Sequence, residues 1–253
     1  MIRGLYTAAA GLITGLRRQE SLANNLANVN TTGYKADVNA LRSFPAVLVT
    51  EVDGGPLPVR LPTAQLLGVL GTGVLFEERG IDFSQGPLVQ TGRDLDLALQ
   101  GDGFFVLQGP NGPVYTRDGH FLRDANGLLV NADGLPVLDV NGNPVVLGLG
   151  PVQVQQNGLL LQNNAAVAQL QVVSFPDGGL IRAGDNTFVP VGTLPAASNA
   201  AVFQGYLEQA NVNTAELMTH LVTLARVYES SQRLLQMQNE TLRKAVEEVG
   251  RLS

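Results

Sequence analysis

The residue types that could carry chemistry are few in this chain, and their spacing builds no reactive centre. Cysteine is absent and the two histidines, His120 and His220, lie far apart, so a metal site would need carboxylates for nearly all of its ligands. We therefore interpret both histidines as structural or solvated. Asp94 and Asp96 could form a catalytic carboxylate pair, but they alternate with leucines, which favours the solvated face of an amphipathic strand.

Two glycine-containing loops resemble ligand sites without matching them. Residues 139–143 resemble part of a calcium-binding loop, but the glycine comes too early and valines follow it, so a turn is the better interpretation. Gly101-Asp102-Gly103 leads into a strand-like Phe-Phe-Val run, whereas a dinucleotide loop needs a third glycine and a helix. The sequence thus predicts no catalytic, cofactor-binding or metal-ligating residues, no cofactor, and a protein that is not an enzyme.

The composition describes a globular chain with a turn-rich middle. Of the 253 residues, 45% are hydrophobic and 15% charged, with a net charge of −6. No basic stripe is present, which argues against nucleic-acid binding. The uncharged stretches are broken by Asn, Gln, Gly or Pro, so none predicts membrane insertion. Thr and Gly also interrupt the apolar run of residues 5–16, which argues against a cleaved signal peptide. All 13 prolines lie between Pro45 and Pro195.

The proline-free N-terminal end has the spacing of a helix with one narrow apolar stripe. Its apolar residues step by three and four, as in a heptad repeat, with one polar interruption. The stripe consists of Ile2, Leu5, Ala9, Leu12, Leu16, Gln19, Ala23 and Leu26. Asparagines crowd the end of this segment, and Gly33 is the expected left-handed cap.

The C-terminal end repeats this pattern over a longer stretch. Steps of four and three continue without a slip, no Gly or Pro lies between Tyr206 and Val249, and Asn213 with Glu216 is a candidate capping box. The stripe runs through Leu217, Leu221, Leu224, Tyr228, Ser231, Leu235, Gln238, Leu242, Ala245, Val249 and Leu252. A helix of about 36 residues would be ~54 Å long. So narrow a stripe on so long a helix calls for a partner helix.

Several partners are open to these helices. The two can pair with each other as a coiled coil, or with copies from other chains. Alternatively, both pack on a β domain within one monomer. The narrow stripes disfavour that alternative, because a globular core usually requires a broader apolar face.

Between the ends, tight-turn dipeptides predict a β domain of hairpins. Nine Asn-Gly or Asp-Gly pairs occur, and from Asn111 to Gly142 they recur every seven or eight residues, with short strand-like segments between them. We therefore predict an α+β fold with long terminal helices and a central, mostly antiparallel β domain. The predicted division is an N-terminal helix in residues 1–34, an extended connector in 35–85, a β domain in 86–205 and a C-terminal helix in 206–253.

Four motifs then carry a resemblance to a known family. They are SLANNLANVNTTGYK at residues 21–35, LDLALQGDGFF at 95–105, YTRDGHF at 115–121, and GYLEQANVN at 205–213 followed by RVYE at 226–229. In this order, and over nearly the whole chain, they resemble bacterial flagellar rod and hook proteins. Within that group the chain is similar to the flagellar basal-body rod protein family: residues 71–74 and 83–86 resemble FlgG, whereas 39–42 look more like FlgF. The choice between distal rod, proximal rod and a related hook-basal-body variant stays open.

The resemblance implies a structural subunit of the bacterial flagellar basal-body rod. Such a subunit self-assembles through its terminal helices into a tubular axial structure that transmits torque from motor to hook. It would lie in the extracytoplasmic, periplasm-spanning rod, exported by the flagellar type III apparatus without a cleaved signal peptide. Its partners would be copies of itself, other rod and hook subunits, and the export apparatus, with no nucleic acid and no membrane insertion.

The candidate assembly interface consists of the two stripes and the asparagines that follow the first one. Apolar side chains would supply burial and the asparagines would set the register. These residues are Leu5, Leu12, Leu16, Asn24, Asn25, Leu26, Asn28, Leu217, Leu221, Leu224, Tyr228, Leu235 and Leu242. The alternative function is a secreted β-meander binding module or adhesin with a coiled-coil stalk, which should show an exposed aromatic or charged recognition patch.

Overall fold

The computed structural model describes residues 2–44, 47–52, 64–71, 73–176, 178–184 and 186–251. In this part of the chain, strands lie between two helices, α1 (Ile2–Ala27) and α2 (Thr214–Arg251). The strands are β1 (Asp37–Ser43), β2 (Val47–Val52), β3 (Ala64–Leu70), β4 (Val74–Ile81), β5 (Leu88–Gln90), β6 (Leu97–Gln100), β7 (Phe104–Gly109), β8 (Gly112–Thr116), β9 (Leu122–Arg123), β10 (Leu129–Val130), β11 (Val152–Val154), β12 (Leu159–Gln162), β13 (Ala165–Gln169), β14 (Val172–Ser174), β15 (Leu180–Gly184), β16 (Thr187–Pro190), β17 (Ala196–Ala197), β18 (Ala201–Gln204) and β19 (Tyr206–Glu208).

Two compact units divide the chain, and each is built from separate stretches of sequence. The first contains Met1–Ala23, Asn39–Arg79 and Ala215–Ser253, and the second contains Asn24–Val38 and Gly80–Thr214. Helices at both ends and a mostly antiparallel β centre confirm the predicted α+β class.

The first unit contains strands in the region where the sequence predicts an extended connector. There, β1 pairs with β4 and β2 pairs antiparallel with β3, giving two two-stranded sheets. Polar residues of α1 contact these strands, since the Thr14 hydroxyl donates to the Val74 carbonyl at 3.0 Å and the Asn39 amide donates to the Ser21 hydroxyl. Helix α1 ends at Ala27, earlier than the predicted cap at Gly33, although Gly33 does adopt a φ of +65°.

The second unit is organised around a six-stranded sheet in the order β15-β16-β8-β7-β14-β17. Strand β7 is buried on both faces, because successive side chains of a strand point to opposite sides. Phe105 and Leu107 enter one apolar cluster, while Phe104 and Val106 enter the other.

Three turns of one kind form the repeat that the sequence shows between residues 124 and 143. Asp124, Asn131 and Asp139 each accept, through Oδ1, the backbone N–H groups two and four residues later. Each of these turns holds a glycine at positive φ, +83° at Gly127 and +79° at Gly142, for example. The turn interpretation of residues 139–143 is confirmed, and the backbone N–H of Asn143 lowers the pKa of Asp139.

The segments between these turns close a ring rather than a simple meander of hairpins. The backbone N–H of Leu129 donates to the Val145 carbonyl, that of Val145 to Val137, and that of Val137 to Leu129, at 2.8–2.9 Å. All three side chains are buried in one cluster. Two of the expected strands, around Val137 and Val145, are reduced to isolated bridges, and β9 and β10 are strands of only two residues.

Helix α2 spans 38 residues, close to the length that its stripe predicts. Neither helix has, in its described residues, the length and hydropathy that a membrane span requires.

Candidate functional site

A buried ionic junction lies in the second unit, where distant parts of the chain meet. Lys35 Nζ lies 2.6 Å from Glu208 Oε1, and Arg117 Nη1 lies 3.4 Å from Glu208 Oε2. The exposed fractions of the Lys35, Glu208 and Arg117 side chains are 0%, 0% and 2%. We call these three residues the junction triad.

Glu208 is the centre of the junction triad, because four donors converge on it. Besides the two cations, the backbone N–H of Gly86 donates to its Oε1 at 2.8 Å, and the backbone N–H of Gly33 donates to its carbonyl at 2.7 Å. Lys35 Nζ also donates to the Ser84 carbonyl at 2.7 Å. One carboxylate therefore joins the segment after α1, the segment before β5 and the strand preceding α2.

The junction triad carries one more positive than negative charge in a site closed to water. Burial lowers the pKa values of both Lys35 and Arg117, and in each case Glu208 opposes that shift. The Arg117 guanidinium lies 5.1 Å from the centre of the Phe104 ring, which offers it a cation–π contact. Glu208 is therefore the group that makes burial of two cations tolerable.

A second arginine supports the same segment from its other side. Arg182 Nη2 donates to the Lys35 carbonyl at 2.7 Å and to Asp37 Oδ1 at 3.1 Å. Its guanidinium lies over Tyr34, 4.7 Å from the ring centre, and 5.6 Å from that of Phe188. The backbone of Lys35 is thereby fixed independently of its ammonium group.

The last turn of α1 is joined to this segment by Asn25. The Tyr34 hydroxyl and the Asp37 N–H donate to Asn25 Oδ1 at 2.9 and 3.0 Å, and the Asn25 amide donates to the Asp37 carbonyl at 3.0 Å. Burial raises the pKa of Tyr34. Asn25, a predicted assembly residue, therefore makes these hydrogen bonds within its own chain.

A chain of polar contacts links Thr32, in the first motif, to Asp96, in the second. The Thr32 hydroxyl donates to Asp118 Oδ1 at 2.6 Å, the His120 N–H donates to the same oxygen at 3.1 Å, and His120 Nδ1 lies 3.0 Å from Asp96 Oδ1. Burial raises the pKa of Asp118.

The solvated-face interpretation of Asp94 and Asp96 is wrong for Asp96. That side chain is buried, and its Oδ2 has no hydrogen-bond partner in the described part of the chain, whereas Asp94 is exposed. The amphipathic strand also differs from expectation: β6 begins at Leu97, and Ala98 is as deeply buried as the leucines. The reason is that β6 is covered on both faces inside the second unit.

Glycines permit the close backbone approaches around the junction. A Cβ on Gly86 would overlap the Gln209 carbonyl, and one on Gly119 would overlap the Leu97 carbonyl. Gly33, at positive φ, lies against the backbone of Arg117 and Asp118. The approaches at Gly119 and Gly33 each bring two of the four sequence motifs together.

This arrangement is suited to holding the chain together rather than to a reaction. The charged groups are closed off from solvent and paired with one another. In the described residues, no group of three or more His, Cys, Asp or Glu side chains could hold a metal ion.

The predicted assembly residues on α2 share one pattern of burial. Over residues 217–242, every stripe position is half-buried, and apart from Ala225 every other residue is exposed. The predicted members of this set are Leu217, Leu221, Leu224, Tyr228, Leu235 and Leu242.

The predicted residues on and after α1 are more varied. Leu12 and Leu26 are half-buried, Leu16 is exposed, and the side chain of Leu5 lies outside the described residues. Asn24 is exposed and bonds locally with Asn28, whose amide donates to Asn24 Oδ1 at 2.8 Å.

The junction triad was not predicted from the sequence, although every member lies in one of the four motifs. Lys35 ends the first motif, Arg117 lies in the third and Glu208 in the fourth. The available signal was weak, because Glu208 is an isolated charge among neutral residues, whereas Lys35 and Arg117 lie within two residues of Asp37 and Asp118. That signal gives no pairing, because Lys35 and Glu208 are 173 residues apart.

Family models match three parts of the chain. "Flagella basal body rod protein" matches residues 5–35, "Flagellar hook protein FlgE/F/G D1 domain" matches 98–182, and "Flagellar basal body rod FlgEFG protein C-terminal" matches 204–248. These matches contain Lys35, Arg117 and Glu208, respectively.

Curated relatives are similar over the whole chain. The flagellar basal-body rod protein FlgF of Caulobacter vibrioides is 35% identical, and the alignment covers 100% of both chains. FlgF of Rhizobium meliloti is 32% identical over 99% of both, and FlgG of Agrobacterium fabrum is 31% identical over 94% of this chain and 96% of its own. The chain therefore belongs to the flagellar basal-body rod protein family, whose members are structural proteins rather than enzymes.

Proposed function

We propose that this chain is a structural subunit that self-assembles through its terminal helices into the tubular rod of the flagellar basal body. The observation that carries the proposal is the row of large apolar side chains exposed along both helices. Several large apolar side chains exposed on one side of a helix are typical of an interaction site. Membership of the rod family supports the same function.

The exposed apolar face of α2 lies beside its half-buried stripe. Val227, Leu234 and Met237 are each more than half exposed, and they follow steps of three and seven residues that keep them on one side of the helix. On α1, Tyr6, Ile13 and Leu16 are exposed. In the proposal these side chains contact neighbouring subunits and contribute burial on assembly.

The half-buried stripe has a different part in the proposal. It pairs α2 with α1 as a coiled coil, or with a helix of another copy. Gln238 lies on this stripe, and its buried Oε1 has no hydrogen-bond partner among the described residues. A polar residue in an apolar seam can fix helix register at some cost in stability, which is the part we assign to Gln238.

The proposal extends to the chain as a whole. Residues 1–34 and 206–253 form the assembling ends, 86–205 form an outer β domain, and 35–85 connect them. The subunit would be exported by the flagellar type III apparatus without a cleaved signal peptide, join other rod and hook subunits across the periplasm, and transmit torque from motor to hook. The junction triad would hold the chain segments next to both helices in one rigid body.

The test compares two substitutions that add the same charge to α2. Leu234→Glu places a carboxylate on the exposed apolar face, whereas Gln236→Glu places one at an exposed polar position two residues away. We expect the purified chain and the Gln236→Glu variant to form filaments visible by electron microscopy. Leu234→Glu should remain monomeric in sedimentation velocity.

Circular dichroism of both variants provides the control for folding. Leu234 is exposed, so its substitution should leave the helical signal unchanged. If Leu234→Glu formed filaments as readily as the unmodified chain, the exposed face of α2 would not be the assembly surface. If the unmodified chain stayed monomeric under all assembly conditions, the self-assembly proposal itself would fail.

A further inference from the structure

Four Asn-Gly dipeptides lie in described turns of the second unit, and each has the sequence for spontaneous loss of the asparagine amide. They are Asn111-Gly112, Asn126-Gly127, Asn141-Gly142 and Asn157-Gly158. In this reaction the glycine backbone nitrogen bonds to Asn Cγ and ammonia leaves, which forms a succinimide ring. Water then opens the ring at either carbonyl, giving aspartate or isoaspartate. Asparagine is thermolabile for this reason, and glycine offers the least steric resistance to ring closure.

Two of the four asparagines lie in the turns described above, in which the side chain of Asp124, Asn131 or Asp139 accepts two backbone N–H groups. We call these three side chains the turn heads. The Asn126 amide donates to Asp124 Oδ2 at 3.2 Å, and the Asn141 amide donates to Asp139 Oδ2 at 3.3 Å. The glycine N–H groups in these turns also donate to the Asp124 and Asp139 carbonyls, at 3.2 and 2.9 Å. Both the leaving amide and the attacking nitrogen are therefore engaged.

The third asparagine is held in a similar way. Asn157 Oδ1 accepts the Leu159 N–H at 3.1 Å, and the Gly158 N–H donates to the Gln155 carbonyl at 2.9 Å. Rotation of the Asn157 side chain toward its glycine nitrogen would break the first of these bonds.

Asn111 differs from the other three. It lies in the exposed two-residue loop between β7 and β8, where Gly109 pairs with Gly112. Its side chain makes no hydrogen bond in the described part of the chain. Gly112 has a φ of +129°, and no atom lies within 4 Å of the position that a Cβ would take. Because Gly112 pairs with Gly109, Asn111 is distinguished by its side chain and not by its glycine: that side chain is free to turn, and there is open space for the ring.

We infer that Asn111 is a site of spontaneous deamidation in the folded protein and that the other three Asn-Gly pairs are protected by their turns. The product adds one negative charge at the tip of the β7–β8 hairpin. When isoaspartate forms, it also lengthens the main chain by one carbon within the loop. The modification needs only water and releases only ammonia, so no enzyme or cofactor takes part.

The experiment incubates the full chain under mildly alkaline conditions and follows each site by peptide mapping with mass spectrometry. A parallel incubation in urea gives the rate of each site in the unfolded chain. In the folded protein we expect Asn111 to react about tenfold faster than any of the other three, because their hydrogen bonds must break first. In urea the four rates should converge.

Two variants make the test specific. Asp124→Ala removes the partner of the Asn126 amide and should raise the rate at that site alone, while Asn111→Gln should abolish the reaction at the hairpin. The inference is overturned if the ranking of the four sites is the same in the folded and unfolded chain. It is also overturned if Asn111 reacts no faster than Asn126, Asn141 or Asn157 in the folded protein.

Discussion

At the scale of single residues, Glu208 is the residue on which the contacts of the junction triad depend. Its carboxylate neutralises part of the charge of Lys35 and Arg117 and accepts a backbone N–H, while its own carbonyl accepts the Gly33 N–H. A buried ion pair is not by itself a strong source of stability, but removal of one partner leaves the other charge uncompensated. The junction triad is therefore more sensitive to substitution than a surface ion pair.

We expect Glu208→Gln to lower the free energy of unfolding by about 3–5 kcal/mol, because two buried cations lose the buried carboxylate that contacts both of them. Urea unfolding followed by circular dichroism measures the change. Glu229→Gln, the same substitution at an exposed position of α2, is the control and should change stability by less than about 0.5 kcal/mol. Equal midpoints for the two variants would show that the junction triad has little energetic importance.

Asp118 predicts a pH dependence of stability. Burial raises its folded-state pKa, so the folded chain binds this proton more tightly than the unfolded chain. Its contribution to stability is therefore least favourable near neutral pH and improves as pH falls through the folded pKa. Asp118→Asn keeps an Oδ1 acceptor for Thr32 and His120 but removes the titrating group.

We expect Asp118→Asn to be at least as stable as the unmodified chain at neutral pH. It should gain less stability as pH falls through the folded pKa of Asp118 toward the ordinary aspartate value of about 3.9. Urea midpoints measured for both proteins across this range give the difference, in which the other carboxylates cancel. A larger gain in the variant than in the unmodified chain would mean that the direction of the Asp118 shift is wrong.

At the scale of elements, the three turns that begin at the turn heads Asp124, Asn131 and Asp139 explain how residues 124–147 close a ring of backbone hydrogen bonds. Each head satisfies two backbone N–H groups that the turn would otherwise leave without partners. Two of the heads are Asp and one is Asn, so the shared requirement is the Oδ1 acceptor rather than the charge. Asn131 is the buried member of the set.

We expect Asn131→Ala to destabilise the chain by about 1–3 kcal/mol, because the Asp133 and Leu135 N–H groups lose their acceptor. Asn131→Asp keeps Oδ1 and should be the milder substitution. Thermal unfolding of the two variants measures this difference. A milder effect for alanine would contradict the acceptor argument.

The terminal helices illustrate the limit of reasoning from a single element. The stripe on α2 has the predicted period, since its members are half-buried while almost every neighbour is exposed. The helix periodicity fixes which side chains share a face. The identity of the helix that packs there depends on surfaces outside α2, so coiled-coil pairing stays a proposal.

At the scale of the whole molecule, the two units divide the candidate functions between them. The junction triad lies wholly in the second unit, whereas most of both terminal helices belongs to the first. Loss of the helical residues that belong to the first unit should therefore leave the second unit folded, provided that Lys35 and Glu208 are kept.

We expect deletion of residues 1–30 to abolish filament formation while the β domain stays folded. Deletion of residues 1–36 should lower the stability of that domain by about a further 3 kcal/mol, because the hydrogen bonds that Thr32, Gly33 and Lys35 make to Asp118, Glu208 and Ser84 are then lost. Sedimentation and urea unfolding of the two truncations measure the two effects separately. Filaments formed by the shorter deletion, or equal stability of both, would contradict this division.

The sequence alone determined the features that depend on neighbouring residues. Steps of three and four predicted both helices and the stripe on α2, because helical side chains repeat every 3.6 residues. Asn-Gly and Asp-Gly pairs predicted the turns, because those residues tolerate positive φ. The four motifs indicated the family, and the similarity to FlgF and FlgG relatives over the whole chain then established it.

Only the tertiary structure decided how those motifs meet. Lys35, Arg117 and Glu208 are unremarkable charges in the sequence, and Asp96 has the spacing of a solvated strand residue. Their burial and pairing depend on contacts between segments far apart in the chain, which no local periodicity records. The same holds for Asn111, whose dipeptide is identical to three others and which differs only in the hydrogen bonds that the folded turns supply or withhold.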